Sequence, residues 1–420
     1  MPAHSTQRPA DPRHPEFWRS PLRGPWLTSF LGTLLIPAVA VMAVTGFISH
    51  WAYHPELPGN ATVSPAYDIP VLFQFTASWP AWSYAATQGT HVIIGLMTVP
   101  LLLAKLWSVI PRLFARPAWR TIAGAVERLS MLLLVGSALV EFATGILEVD
   151  EYPRTGLSFF ALHYYGAWVF MTLLVLHTLV KLPTIRRAYR DRGVLRPLRD
   201  GLRDTRPEPP RPGGLAAIAP ATATLSRRGL LAMVGGSALT IFAVQSGASI
   251  GGPLRRVALL AARGRVFGTG PNDFPVTHTA AAAGITRARA SAGWRLAVVG
   301  ARAASLDREA LLAIPQSTRA LTIVCTEGWS TTQHWTGVPL ASLASLVDAG
   351  SAAILTVESV EAYQASFSHA QFSDPRALLA LRVNGTDLSL DHGYPGRVIV
   401  PNTPGNQNIK WVRELRFMPA

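Results

Sequence analysis

One cysteine in 420 residues and a charged fraction of only 15% are the two shortages that bound this chain. A single thiol excludes a disulfide framework and any zinc or iron–sulfur site built from protein cysteines alone. An average soluble domain carries roughly 25% charged residues, so the shortfall points to membrane segments. Acidic residues are the scarcer sign, with 24 Asp and Glu against 38 Lys and Arg, a net charge of +14. Such a balance fits nucleic acid, anionic lipid or membrane topology, and its distribution along the chain decides between them. The length fits two or three domains at roughly 100–200 residues each.

What the chain has is long apolar runs, at about 26–49, 89–110, 126–147, 159–182 and 229–248. Each is long enough to cross about 30 Å of hydrocarbon at 1.5 Å per residue. Short connections join the first four, so an all-α transmembrane four-helix bundle with a fifth anchoring helix is the expected architecture. The first run is too long for a signal-peptide core and leads directly into Trp51 and Tyr53, so it reads as a retained span.

Basic and non-basic connections alternate. Arg8, Arg13, Arg19 and Arg23 precede the first run, and Arg112, Arg116 and Arg120 follow the second. The segment 181–228 holds 12 Lys and Arg against Asp191, Asp200, Asp204 and Glu208, a net of +8. Residues 50–88 contain no Lys or Arg, and 148–158 sets Glu148, Asp150 and Glu151 against Arg154. The positive-inside rule then places the N-terminus in the cytoplasm and everything after the fifth run outside it, in a bacterial cell membrane. The expected organisation is a basic tail at 1–25, a membrane domain at 26–182, a basic cytoplasmic linker at 183–228, the fifth helix at 229–248 and an extracytoplasmic domain at 253–420. Within the linker, TRPEPPRPGGLAAIAPATA is Pro/Gly/Ala-rich. Arg227-Arg228 before a Gly/Ala-rich apolar run reads equally as a twin-arginine export signal or as a pair of positive-inside anchors.

Four histidines lie in or at the ends of the spans: His50, His91, His163 and His177. His163 and His177 share the fourth run, about 40° apart around a helix and roughly 21 Å apart along it. That spacing suits one haem near each membrane surface, and His91 with His163 is the pairing of similar depth. A structural role at a helix end competes for His50. Glu141, inside the third run, is a candidate for proton transfer, a quinone hydrogen bond or an internal hydrogen bond, and Lys105 can snorkel towards the cytoplasm. With its helix order, this half resembles the cytochrome b membrane subunits of formate dehydrogenases and nickel hydrogenases, which implies one or two b haems. Those relatives carry a histidine at the start of the first helix, where this chain reads Trp26-Leu27-Thr28-Ser29-Phe30. The inner partner of His177 is therefore missing.

Residues 253–420 change character. Turn-rich clusters separate short runs that read as strands: WRLAVVG, ALTIVC, SAAILTVESV, LLALRVNG, GRVIVPN and KWVRELRF. LDREALLAI and PLASLASLVDA read as short helices, so the domain is α+β. Cys325 closes ALTIVC and opens TEGWSTTQHW, read as a loop. A lone cysteine is usually an inert buried residue, yet at a strand-to-loop junction of an exported domain it is also a candidate soft metal ligand.

The stretch from Cys325 to Ser330, continuing through His334-Trp335-Thr336-Gly337-Val338-Pro339-Leu340, closely resembles the molybdenum-binding signature of the sulfite oxidase fold. Asp391-His392-Gly393-Tyr394-Pro395-Gly396-Arg397, Val400-Pro401-Asn402 and Ile409-Lys410-Trp411 follow in order, and Asn272-Asp273-Phe274-Pro275 also matches. The resemblance covers most of residues 265–420. It implies Mo-molybdopterin with Cys325 as the one protein thiolate on the metal, and His392, Arg397 and Lys410 at the pterin and its phosphate. Thr277, His278 and Ser330 are weaker candidates for the cofactor's surroundings, and Tyr363 and His369 for the substrate face.

Sulfite oxidases place an arginine in the stretch directly after the metal cysteine, whereas here Thr326-Glu327-Gly328-Trp329-Ser330 contains no cation. That pattern is closer to the periplasmic molybdenum reductases of protein methionine sulfoxide. The expected function is a membrane-bound molybdenum oxidoreductase passing electrons between quinone, haem b and molybdenum, reducing an S-oxide or N-oxide. Oxidation of sulfite or another small sulfur compound, and a non-catalytic membrane-anchored cofactor module, are the alternatives. Membrane lipid, quinone and a small substrate are the expected partners. The basic balance is a topology signal and needs no nucleic acid.

Overall fold

The computed structural model describes residues 11–63, 82–114, 121–149, 158–210, 214–291 and 293–419. Arg8, Arg116, Arg120, Asp150, Glu151 and Arg154, with residues 64–81 of the cation-free connection, lie outside the described residues.

Among the described residues, five helices are long and apolar enough to cross a membrane: α1 Pro25–Trp51, α2 Ser83–Phe114, α3 Ile122–Val149, α4 Phe159–Arg192 and α5 Arg227–Ile250. Each contains the apolar run that predicts it and extends past it. Two begin on serine caps: Ser158 Oγ accepts from Ala161 N at 3.2 Å, and Ser226 Oγ from Gly229 N at 3.0 Å. Outward apolar side chains such as Leu133, Leu179 and Val180 stay 49%, 62% and 67% exposed, a surface suited to lipid. The chain forms two compact units, 1–43 with 94–147 and 151–242, and 44–93 with 148–150 and 243–420.

In the first unit, Val39, Leu102, Ala138 and Phe170 bring one side chain from each of α1 to α4 into a shared core. A second cluster joins Trp26, Leu27 and Leu31 of α1 to Ala104 of α2 and Leu230 of α5, so α5 packs within the helical unit. The basic linker folds back here. Glu208, buried, accepts from Trp26 N at 3.1 Å, and Trp26 Nε1 donates to Gly193 O at 2.9 Å. Arg227 is buried and donates to the carbonyls of Pro21 and Arg206 at 3.2 and 3.0 Å, so it ties three segments together.

The second unit contains α6 Arg287–Ser291, β1 Leu296–Val299, β2 Ala303–Leu306, α7 Arg308–Ala313, β3 Ser317–Val324, β4 Ser330–Pro339 and α8 Leu340–Leu346. These are followed by β5 Ile354–Ser359, β6 Gln364–Ser368, α9 His369–Phe372, β7 Leu378–Val383, β8 Thr386–Asp387, β9 Arg397–Ile399 and β10 Val412–Met418. One sheet has the order β2-β1-β10-β5-β6, antiparallel except for the parallel pair β1 and β10. The other runs β3-β4-β7-β8, with β9 also on β7. Leu296, Val298, Leu355, Val357, Phe367 and Leu415 of the first sheet share a core with Leu379, Leu381 and Val398 of the second. This is the α+β domain that the sequence leads one to expect.

One reading is corrected. TEGWSTTQHW is a turn over Thr326–Trp329, and from Ser330 it continues as strand β4. Its polar residues disguise a strand pattern. Thr332 and Thr336 pair across the ladder with Thr322 and Thr318 at 2.7 and 2.8 Å, while Trp335 is fully buried on the other face.

Candidate functional site

Cys325 sits in the tight hairpin between β3 and β4, where Cys325 N donates to Trp329 O at 2.9 Å and Gly328 N to Cys325 O at 3.0 Å. Gly328 has φ +84, and a Cβ there would meet the Val92 side chain at 2.9 Å, so the turn requires glycine twice over. The thiol is buried, with Thr277 Oγ1 at 3.3 Å from Sγ. Burial, and then the charge of Glu327, push it up to about 12. Thr277 Oγ1 also donates to Glu327 Oε2 at 3.4 Å.

Glu327 is buried and gripped by Arg263, with Nη2 to Oε1 at 2.5 Å and Nε to Oε1 at 3.0 Å, while Trp329 Nε1 donates to Oε2 at 2.8 Å. Arg255 lies 5.9 Å from the Trp329 ring and donates to Ala248 O and Gly264 O. Arg263 and Arg255 carry no recognisable motif and were passed over as site residues, while Glu327 was read only as part of the cysteine signature.

His392 is buried, stacks on Phe274 at 3.6 Å, and has Nε2 2.9 Å from Asn272 O. Burial first, then the Arg397 charge, pull its imidazole down to about 3, so it is a neutral donor. Arg397 is buried over the Trp335 ring at 5.6 Å and donates through Nε to Asn408 O at 3.1 Å. Burial lowers it to about 9, opposed by Cys325. Lys410 Nζ donates to His278 O at 2.6 Å, and burial, then Arg397, lower it to about 7. Gly393, at φ +106, lets these two approach, since a Cβ there would lie 3.1 Å from Lys410 and 3.2 Å from Arg397.

The fold thus gathers Cys325, Thr277, His392, Arg397 and Lys410, with the His278 side chain turned to Glu361 at 3.1 Å. Ser330 Oγ donates instead to Ser249 O at 2.5 Å. His369 is a structural residue, held by Ala352 O at 2.8 Å against Phe372.

This donor set fits a phosphate-bearing molybdenum cofactor. Asp391 and Glu361 act on Lys410 but are engaged by Ala280 N and His278, and close-set cationic side chains of this kind call for an anion. Among the described residues no group of three or more His, Cys, Asp or Glu could hold a metal ion, so a metal at Cys325 would draw its other ligands from a cofactor.

In the helical unit, His163 Nδ1 lies 3.1 Å from Glu141 O, 3.1 Å from Thr144 Oγ1 and 3.4 Å from Glu141 Oε2. Gly145 faces the ring, where a Cβ would approach Cε1 to 3.3 Å. In the second unit, Gly46 faces His91 in the same way, its Cβ position 2.8 Å from Cε1. His50 is buried at the end of α1, and His177 is half-buried in α4.

Residues 283–420 match the family described as oxidoreductase molybdopterin binding domain. The chain is 31% identical over 130 residues to the putative protein-methionine-sulfoxide reductase subunit YedZ1 of Azospira oryzae, a match covering 30% of this chain and 49% of that protein. It is 43% identical over 60 residues to human mitochondrial sulfite oxidase, covering 14% of this chain and 11% of the relative. The sulfane dehydrogenase SoxCD of Paracoccus pantotrophus aligns at 27% identity over 30% of this chain and 38% of its own, with a TM-score of 0.28. The matches therefore span about half of the first relative and about a tenth of the second. The C-terminal region is a sulfite oxidase-type molybdopterin-binding oxidoreductase domain, in a chain that also carries five helices fit to cross a membrane.

Proposed function

We propose that this protein takes electrons from membrane quinol through haem b to the molybdenum cofactor and reduces a small S-oxide or N-oxide. The balance is one oxide, two electrons and two protons giving the deoxygenated product and water, with quinol oxidised to quinone. When bound, the cofactor supplies two-electron oxygen-atom transfer. Around it, Cys325 would provide the soft ligand, Thr277, 3.3 Å from that sulfur, would orient it, and Arg397 and Lys410 would hold the phosphate.

The observation that carries the direction of reaction is the Arg263–Glu327 pair. The position after Thr326 holds a carboxylate, and the arginine nearest it is neutralised, so the cysteine turn offers no cation for a sulfite-like anion. The identity to sulfite oxidases favours the second reading, oxidation of a sulfur compound with electrons leaving to quinone. In the proposed topology the N-terminus is cytoplasmic and the molybdenum domain extracytoplasmic.

For haem b, the anchoring of His163 Nδ1 supports coordination through Nε2, the arrangement usual for a ligating imidazole. His91 is the candidate ligand of the second unit. Lys105 stands 14 residues after His91, as His177 stands after His163, and its ammonium donates to Thr28 O at 2.6 Å. Trp26 and Phe30 stack at 5.0 Å in the same region, which supports a single haem.

The test is an optical one on the purified protein. Haem b reduced with dithionite is expected to be reoxidised by dimethyl sulfoxide or methionine sulfoxide. Haem reduction by sulfite, with no response to the oxides, would reverse the assignment. In Cys325→Ser either response is expected to disappear.

A further inference from the structure

The loop 402–408 crosses directly over the Cys325 strand. Val324 bridges to Pro404, and a Cβ on Gly405 would lie 2.7 Å from Val324 O. Tyrosine-bearing segments clasp the same loop. Gln407 Nε2 donates to Tyr53 O at 2.6 Å, Asn402 Oδ1 accepts from Tyr84 N at 2.8 Å, and Asn406 Nδ2 donates to the Tyr363 hydroxyl at 3.2 Å. Tyr53 and Tyr84 are 3% and 2% exposed, with rings crossing edge to face at 6.5 Å, whereas Tyr363 stands at the surface.

The Tyr84 hydroxyl is buried against the Tyr53 hydroxyl and has no acceptor of ordinary geometry among the described residues. Tyr53 is pushed well above the usual phenol range, mainly by burial and then by its neighbours Tyr84, Tyr363 and Cys325. It therefore stays protonated, its hydroxyl directed to that of Tyr84. A buried hydroxyl lacking an acceptor is costly, and an incoming oxygen atom would satisfy it.

We propose that Tyr53 and Tyr84, from the ends of α1 and α2, together with Tyr363, form the binding wall for the oxide oxygen of a neutral S-oxide or N-oxide beside Cys325. The proposal rests on the reductase reading above and names the groups that select its substrate. Aromatic faces accept the apolar substituents of such a molecule, and phenolic O–H groups donate to its polar oxygen. The wall itself offers a dipolar ligand hydrogen bonds and offers an anion no charge. Residues usually counted with the membrane half thereby help to define the specificity of the molybdenum domain.

The experiment compares wild type, Tyr53→Phe, Tyr84→Phe and the double variant as full-length, molybdenum-loaded protein in detergent. Steady-state reduction of dimethyl sulfoxide by a reduced dye gives kcat and KM. Metal analysis and thermal melting report loading and fold. Ultraviolet resonance Raman of the tyrosine doublet, with and without dimethyl sulfoxide, reports phenol hydrogen bonding independently of turnover. Each Tyr→Phe change is expected to raise KM about tenfold with molybdenum content unchanged, the size of one lost hydrogen bond. The dimethyl sulfoxide-induced Raman shift should disappear in the double variant. Wild-type oxide turnover with unchanged KM in every variant would overturn the wall and leave the reductase reading standing. Absence of wild-type oxide turnover, with sulfite oxidised instead, would overturn the reductase reading and the oxide assignment with it. Loss of molybdenum from the variants would reassign the tyrosines to holding the cofactor.

Discussion

The side-chain amide of Gln88 donates to the carbonyl of Thr326 at 2.6 Å, so the first turns of α2 are hydrogen-bonded to the residue that follows the candidate metal thiolate. His91 stands three residues along the same helix, and Val92 packs on the Gly328 turn position. A haem ligand and a molybdenum ligand would thus be linked by one turn of helix, one hydrogen bond and one peptide. In Gln88→Leu, reoxidation of reduced haem by an oxide is expected to slow several-fold in stopped flow while molybdenum content stays constant. The protein should also melt earlier by an amount equivalent to about 1 kcal/mol, the usual value of a lost hydrogen bond.

The Arg263–Glu327 pair makes a second prediction. Glu327 has no exposed side-chain surface, and removing one member of a buried pair typically costs about 3–5 kcal/mol because the other charge is left stranded. Arg263→Met is therefore expected to lower the melting temperature more than the double variant Arg263→Met/Glu327→Gln. Calorimetry of the four proteins in a double-mutant cycle measures this, and single losses that simply add in the double variant would show that the pair is not coupled.

His392 makes the domain acid-sensitive in a defined window. Its folded value, about 3, lies below the ordinary 6.5, so between these the unfolded chain binds the additional proton. The stabilisation is fully present above pH 6.5 and is lost as pH falls towards 3, at up to about 1.4 kcal/mol per pH unit. Denaturant titrations at stepped pH should show that slope, and His392→Gln should flatten it.

For the membrane half, a pyridine haemochrome assay is expected to return one haem b per chain. His163→Ala should abolish it, and Lys105→Met should leave the stoichiometry unchanged. Two haems per chain would mean that the region around Trp26, Phe30 and Lys105 opens to admit a cofactor.

The spans were legible because some twenty consecutive apolar residues admit few other readings. That Cys325, His392, Arg397 and Lys410 come together in one region was legible through ordered motifs. Strand β4 was hidden because Thr331, Thr332 and Gln333 resemble a polar loop until Thr322 and Thr332 are seen paired across the ladder. Tyr53, Tyr84 and Gln88 could not be found in the same way. Their partners Gln407, Asn402 and Thr326 lie more than two hundred residues away, and no local periodicity encodes a contact of that range. Arg263 was missed because its meaning depends on Glu327, which no motif ties to it.

The clustered charges of Arg397 and Lys410 bear on how the protein matures. The polypeptide alone presents Arg397 and Lys410 together in this domain, both lowered by burial and Lys410 also by the Arg397 charge. In the proposed site a phosphate-bearing cofactor would relieve both burdens at once, which would make loading and consolidation of the fold one thermodynamic event. Loaded chains should resist protease where empty ones are cut, giving a cell a physical criterion for telling finished copies from unfinished ones.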